Sequence, residues 1–417
     1  MLRRLAQRLP LQQIRARRFT VIAFESSADD SCVAIVNSHR EILANVVIGQ
    51  DKLNESFGGI QPMVALDAHQ HHLPIALRRA LEEANMTPDQ VDGVAFTRGP
   101  GMPGCLSVCM NAAKTLAAAH NKPLVGVHHM QAHALTPLLT LPPEDVPQFP
   151  FLTLLISGGH TLLVLARSHT EFETLATTGD ESIGRGLDKV ARVLGLPPKG
   201  AALETFCAEP DDPDTDISDV DMGRPLSRPL PGQLAFSFAG IRSQFDRNME
   251  LVEKQLGATP AWKPVANFVS PELPLPPRQG GWDHDGLTPR QLAARRQLGR
   301  MFQDAAFAHV ADKVALGLKR CRKNEIQVQA LIVSGGVASN KLLRKRLGAT
   351  LEATGSDIPL LVPPMHLCTD NAAMIAWASM SRFKARDYDD FSVRLRPEWP
   401  LDQLTVEPEK AQNQTAW

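Results

Sequence analysis

The feature that most constrains this chain is a unit that occurs twice: an apolar strand, a short turn of small polar residues, and a second apolar strand. Residues 20–25 (TVIAFE), a turn at 26–31 and residues 32–36 make the first copy. Residues 151–156 (FLTLLI), the turn Ser157-Gly158-Gly159-His160 and residues 161–166 make the second, about 130 residues further on. Short apolar runs bounded by turn residues predict buried strands, so each copy predicts a hairpin with hydroxyls, acids or glycines at its tip. Half of the unit returns a third time, at residues 330–333 followed by Ser334-Gly335-Gly336-Val337-Ala338-Ser339-Asn340 and a basic helix from Lys341.

Helical patterns at 73–85, 106–120, 186–194 and 292–322 lie between these hairpins, together with short apolar strands at 91–97 and 124–127. Strands alternating with helices predict an α/β architecture. Duplicated units that begin with a hairpin, with glycine turns facing a cleft, describe a two-lobed fold of the actin, hexokinase and Hsp70 (ASKHA) type. In such folds the turns meet nucleotide phosphates through backbone N–H groups. A chain of 417 residues exceeds what one hydrophobic core serves. The expected division is an N-terminal lobe at 20–148, a C-terminal lobe at 149–385 and a tail at 386–417. Two segments break the pattern and read as surface insertions: 209–221, with seven acids, and 260–289, rich in proline and glycine.

Lys and Arg number 44 against 45 Asp and Glu, so the formal charge of -1 gives no global field for a polyanion, and any nucleic-acid surface must be local. The six cysteines form no C-x-x-C pair and no disulfide framework, which fits a reducing compartment. No apolar run is long enough to span a membrane. Before the first acid, Glu25, stand Arg3, Arg4, Arg8, Arg15, Arg17 and Arg18, with Leu2, Leu5, Leu9 and Ile14 at roughly helical spacing. That composition predicts a mitochondrial presequence over residues 1–19, the alternative being a basic arm.

Chemistry is carried first by Gly126-Val127-His128-His129-Met130-Gln131-Ala132-His133. His129 and His133 stand four apart in a predicted helix, so both rings leave one face and can meet on one metal ion. An open site of this kind needs an oxygen ligand, and Asp370, in Leu367-Cys368-Thr369-Asp370-Asn371, is the best-placed candidate. A helix N-cap at Thr369 or Asp370 is the plainer alternative. Glycine turns at Arg98-Gly99-Pro100-Gly101 (with Gly104), Ser157-Gly158-Gly159 and Ser334-Gly335-Gly336 offer converging N–H groups for an anion.

The segments GVHHMQAHAL, LLISGGHTLLVL, LDKVARVLGL, FSFAGI, IVSGGVASNKLLR and LCTDNAAMIA occur in the order found in the TsaD family and span nearly the whole chain after the leader. On these motifs the sequence resembles the mitochondrial members of that family. The resemblance implies transfer of a threonylcarbamoyl group from threonylcarbamoyl-AMP to the exocyclic amine of adenosine 37, beside the anticodon, in mitochondrial tRNAs reading codons that begin with A. It implies a mitochondrial matrix location and one divalent metal ion on His129, His133 and Asp370, with iron, zinc and magnesium not distinguished. It implies further that the adenylate is bound by Leu155, Ile156, Ser157, Gly158, Gly159, Asp188, Gly200, Glu204, Ser339, Asn340 and Thr369. Asp29 and Asp30 match the family's acidic turn after the first strand and are the candidate proton acceptors. Monomer and homodimer both stay open, as does the tRNA surface, for which Lys341, Arg344, Lys345 and Arg346 form a basic run.

The chain departs from the family pattern at Gln131, where many bacterial relatives carry Glu, and at Lys199-Gly200-Ala201-Ala202, which is poorer in glycine. Two rivals remain. A zinc peptidase requires glutamate directly after the first histidine, where this chain has Met130. A non-catalytic ATP-binding scaffold would dispense with the metal ligands, and all three candidates are present.

Overall fold

The computed structural model describes residues 18–57, 59–257 and 286–405. Most of the expected presequence and most of the 260–289 insertion lie outside the described residues. Two five-stranded sheets form the frame. The first contains β1 (Thr20–Glu25), β2 (Asp30–Asn37), β3 (Ile42–Gly49), β4 (Gly93–Gly99) and β5 (Leu124–His128), in the order β3-β2-β1-β4-β5. The second contains β6 (Phe151–Ile156), β7 (Thr161–Ala166), β8 (Phe172–Thr177), β9 (Leu331–Ser334) and β10 (Leu360–Leu361), in the order β10-β9-β6-β7-β8. Strand for strand the topologies are the same. In each, the opening hairpin is antiparallel, a third strand joins it antiparallel, and two later strands add in parallel on the other side. The duplicated α/β architecture is therefore present, and the repeated half unit at 330–340 is the counterpart of β4 and the turn after it.

The helices of the first half are α1 (Asp51–Phe57), α2 (Pro62–Glu83), α3 (Pro103–Ala119) and α4 (His129–Thr140). Those of the second are α5 (Ile183–Val193), α6 (Gly200–Ala208), α7 (Ala239–Leu256), α8 (Pro289–Lys323), α9 (Lys341–Ala353), α10 (Met365–Cys368) and α11 (Ala372–Ala385). The helix expected at 73–85 begins eleven residues earlier and runs through Pro74. Val64, Ala65, Ala68, His69 and Leu73 are buried along it, and that burial outweighs the one backbone bond a proline removes.

Period-two alternation along the buried strands sends successive side chains to opposite faces and so builds layers. Ile22, Phe24, Val33, Ile35, Val94 and Phe96 face α2 and α3. Val21, Ala23, Ala34, Ala95 and Val127 face a middle layer made of α4 and α11, whose other side meets Phe151, Leu155, Val164 and Ile332 of the second sheet. Beyond that sheet, Leu154, Ile156, Leu163 and Leu165 pack under α5 to α9. The last helix, α11, packs on β1, β2, β4 and β5, whereas α4 reaches β6 and β9.

The acidic 209–221 segment is tied down. Asp211 pairs with Arg296 and Arg300, Glu209 with Arg296, and Asp219 with Arg290, all along α8. All six cysteines are free thiols, and among the described residues no helix is long and apolar enough to cross a membrane.

Candidate metal centre and adjoining turns

Helix α4 opens at His129 because His128 caps it. The His128 Nδ1 accepts from the N–H groups of Met130 and Gln131 at 3.1 and 3.4 Å, and its Nε2 lies 2.9 Å from the Trp399 carbonyl. An acceptor at Nδ1 and a donor at Nε2 fix one neutral tautomer. Burial presses its pKa down to about 3. With the helix begun there, His129 and His133 stand one turn apart on one face, as their spacing predicts.

Asp370 meets them from the loop between α10 and α11. Neither Thr369 nor Asp370 caps α11; that role falls to Asn371, whose Oδ1 accepts from Met374 N at 3.0 Å. Asp370 Oδ1 is thereby left 3.0 Å from His133 Nε2 and 3.4 Å from His129 Nε2, and the two Nε2 atoms are 3.2 Å apart. Donors sharing one ion at about 2.0–2.2 Å are separated by about 3.0–3.5 Å, so this triangle fits a single divalent cation.

Behind it stands Glu25, fully buried at the end of β1. Its Oε2 is 3.0 Å from His129 Nδ1 and accepts from Thr97 Oγ1, while its Oε1 accepts from Ser27 N. This carboxylate–imidazole pairing is the arrangement that orients metal-binding histidines. Burial pulls the His129 imidazole down, but Glu25 and Asp370 override it and raise its pKa to about 10. Burial likewise opposes ionisation of Asp370, yet His129 and His133 hold its carboxyl well below the usual range. Two carboxylates around two imidazoles make a pocket suited to positive charge, whether proton or metal. Glu25 was not among the expected site residues; its one signal is an acid closing an otherwise apolar strand.

The acidic turn lies close enough for its carboxyls to feel the charge of Asp370. Asp29 accepts from Asn54 Nδ2 at 2.6 Å. Burial, then the negative charge of Asp370, raises Asp29 to about 6 and Asp30 to about 8. His69 on α2 braces this turn, with Nδ1 2.7 Å from Ser31 Oγ and Nε2 3.0 Å from the Ala28 carbonyl.

Across from the triangle is the Ser157–His160 turn. A Cβ at Gly158 or Gly159 would meet nothing within 4 Å, so the turn opens onto free space, and the ring centroid of His160 is 6.5 Å from that of His129. Leu155 and Ile156 are core residues whose side chains are fully buried, so only their main chain is placed toward this turn. Asp188 Oδ1 accepts from Gly200 N at 2.9 Å, and Glu204 Oε1 accepts from Lys341 N at 2.7 Å, which joins α6 to the start of α9. Ser339 bonds the Gly336 carbonyl, Asn340 caps α9, and Thr369 lies against Gly336.

One expected anion turn is taken by the chain itself. At Arg98-Gly99-Pro100-Gly101, Gly101 N donates to the Pro397 carbonyl at 3.1 Å. A Cβ on Gly99, whose φ is +152°, would sit 1.8 Å from the Arg396 carbonyl oxygen. The C-terminal segment therefore fills the place that an anion would need.

Repeated sheet topology and a cluster of two histidines and one aspartate, brought together by α4 and the loop before α11, define an ASKHA-class α/β protein with a candidate metal centre. Residues 41–377 match the family model TsaD, described as tRNA N6-adenosine threonylcarbamoyltransferase, and the chain belongs to that family. A tRNA N6-adenosine threonylcarbamoyltransferase of Cereibacter sphaeroides is 37% identical over 392 residues, covering 93% of this chain and 95% of its own. An Arabidopsis thaliana protein named as a probable mitochondrial tRNA N6-adenosine threonylcarbamoyltransferase is 33% identical, covering 91% of this chain and 74% of its own. Among solved structures, HypF of T. kodakarensis aligns with a TM-score of 0.48 and 13% identity, over 89% of this chain and 48% of that one. The ROK hexokinase of Thermus thermophilus aligns with a TM-score of 0.39 and 14% identity, over 87% of this chain and 98% of that one.

Proposed function

We propose that this chain transfers the threonylcarbamoyl group of threonylcarbamoyl-AMP to the exocyclic amine of adenosine 37 in mitochondrial tRNAs that read codons beginning with A. The observation that carries this reading is the triangle of His129, His133 and Asp370 facing the open Ser157–His160 turn, in a member of the TsaD family. His129, His133 and Asp370 would hold one divalent ion; when bound, it supplies Lewis-acid polarisation of the donor and neutralises negative charge. Imidazole ligands favour a transition metal or zinc over magnesium.

The chain's own residues orient the reactants. The main chain of Leu155, Ile156, Ser157, Gly158 and Gly159, with Asp188, Gly200, Glu204, Ser339, Asn340 and Thr369, would seat the adenylate. The adenosine amine is a poor nucleophile because its lone pair is delocalised into the purine, so holding it against the carbamoyl carbon supplies much of the rate. As the new C–N bond forms, the bond to the phosphate oxygen breaks and AMP leaves. Asp29 takes the amine proton: burial and the charge of Asp370 raise its pKa to about 6, which makes it a stronger base than a free aspartate, and Asp30 is raised in the same way. The arginine-rich leader and the mitochondrial relative support placement in the matrix.

The test supplies the leader-free chain with threonylcarbamoyl-AMP and unmodified tRNA and looks for modified adenosine by mass spectrometry. Wild type should give product and His129→Ala almost none. No product from wild type, or full product from the variant, overturns the reading.

A further inference from the structure

We propose that Ser182 and Gly184, at the start of α5, are positioning residues for the acyl-adenylate donor: they hold the Ser157–Gly159 main chain in the orientation that receives it. This role rests on the donor-binding reading above and adds to that site two residues of a neighbouring element.

The turn between β6 and β7 is gripped on one side and open on the other. A Cβ on Gly184 would lie 2.4 Å from the Ser157 carbonyl oxygen, 2.6 Å from the carbonyl carbon and 2.7 Å from Gly158 N. Three nearly equal distances put the planar 157–158 peptide face-on against Gly184, closer than any side chain permits. Next to it, Ser182 Oγ donates to the Gly158 carbonyl at 2.5 Å. In a trans peptide the N–H points away from the carbonyl, so Gly159 N–H is turned away from Ser182. Its bond to Ser157 Oγ is long, 3.3 Å, and among the described residues Gly158 N meets no acceptor. Two N–H groups are thus lightly engaged on a turn whose backbone is otherwise fixed, on the side where a Cβ at either glycine would touch nothing. Such a pair suits an anionic or carbonyl oxygen of the donor.

The composition of α5 agrees. It opens Ser-Ile-Gly-Arg-Gly, and two glycines in a first turn weaken a helix. Gly186 does not answer a steric demand, since a Cβ there would meet Phe302 at an ordinary 3.6 Å; Gly184 does. The Ser182 hydroxyl serves twice, because it also caps α5 by accepting from Arg185 N at 3.3 Å. Ile183 N donates to Thr161 Oγ1 at 2.9 Å, which fastens the helix start to β7. Both Ser182 and Gly184 are buried, so they act on the donor through the turn.

The experiment titrates AMP into the full chain by calorimetry and measures steady-state kinetics with threonylcarbamoyl-AMP and unmodified tRNA. Wild type is compared with Gly184→Ala, Ser182→Gly and Ser182→Thr, with Gly186→Ala as control. Glycine still serves as an N-cap, so Ser182→Gly removes the hydroxyl while the helix keeps its start. Loss of that one hydrogen bond should weaken AMP binding and raise the donor KM about fivefold. Gly184→Ala, which displaces the peptide itself, should do so by more than about tenfold. The kcat at saturating donor, the KM for tRNA and the metal affinity by chelator competition should stay within about twofold, the pattern of lost donor binding. Ser182→Thr keeps both bonds and should restore wild-type values, and Gly186→Ala should match them. Wild-type AMP affinity and donor KM in Ser182→Gly and Gly184→Ala overturn the assignment. So does a parallel loss of kcat and metal affinity, which marks a merely structural role; if Gly184→Ala does not fold, Ser182→Gly decides. A wild type that binds AMP but forms no product overturns the reading beneath, while the AMP titrations still judge the turn; a wild type that does neither overturns both.

Discussion

A buried carboxylate stands at a free-energy disadvantage unless something positive or strongly hydrogen-bonding meets it, and at Glu25 that partner is His129. Replacing Glu25 with Gln keeps the shape and removes the charge that orients the ring. Metal affinity should fall about 10- to 100-fold, as is usual for partners that hold a metal-binding histidine. Competition with a chromogenic chelator measures it, and equal affinity in the variant would refute the orienting role. The acidic turn gives a pH test. A proton acceptor works only when ionised, so with Asp29 raised to about 6, kcat/KM should fall as pH drops through that value, or through a lower one once a bound cation stabilises the carboxylate. Asp29→Asn should abolish this limb and Asp30→Asn should leave it; a limb that survives Asp29→Asn assigns the proton elsewhere. At this scale the sequence was informative where a helical period did the work: the spacing of His129 and His133 is enough to put both on one face. It was silent on Glu25 and on the choice of Asn371 as cap, because both depend on chain segments more than 100 residues away or on which of three adjacent polar residues turns inward.

Among the elements, the twin hairpins were legible because their strands are continuous apolar runs. Strands β3 and β8 were not, because each is partly exposed and its pattern is mixed. The start of α2 was hidden by Pro74, which sequence rules treat as a stop although burial carries the helix through it. The turn after β9 shows how closely the elements are fitted. Gly335 has φ of +101°, and a Cβ there would lie 2.3 Å from the Ile156 carbonyl oxygen at the end of β6. Gly335→Ala should destabilise the protein by about 1–3 kcal/mol through backbone strain alone, with the overlap adding to it. Urea unfolding of the full chain measures the loss; a change below about 0.5 kcal/mol, the range of ordinary surface substitutions, would show that the turn relaxes.

At the scale of the molecule, the sequence conveyed duplication but not the crossing of the helices. Local periodicity predicts α4 and α11 as helices; it carries no information about which sheet they cover. Because α11 from the end of the chain lies on the first sheet, residues 18–148 alone would leave Val21, Ala23, Ala34 and Ala95 facing water. That fragment should fail to give dispersed amide resonances, and addition of a peptide spanning 365–386 should restore them in part. A well-folded fragment without the peptide would mean that the middle layer is dispensable.

The crossing has a mechanical consequence. The strand-and-helix step that delivers His129 and His133, β5 into α4, is the topological twin of the step from β10 through α10 to α11 that delivers Asp370. The molecule thus resembles a dimer that has exchanged arms and been spliced into one chain, with its shared clasp at the seam. Any breathing that parts α4 from α11 also parts the imidazoles from the carboxylate. For an ion held at that clasp, the speed with which an external chelator strips it becomes a clock for the parting of the two helices.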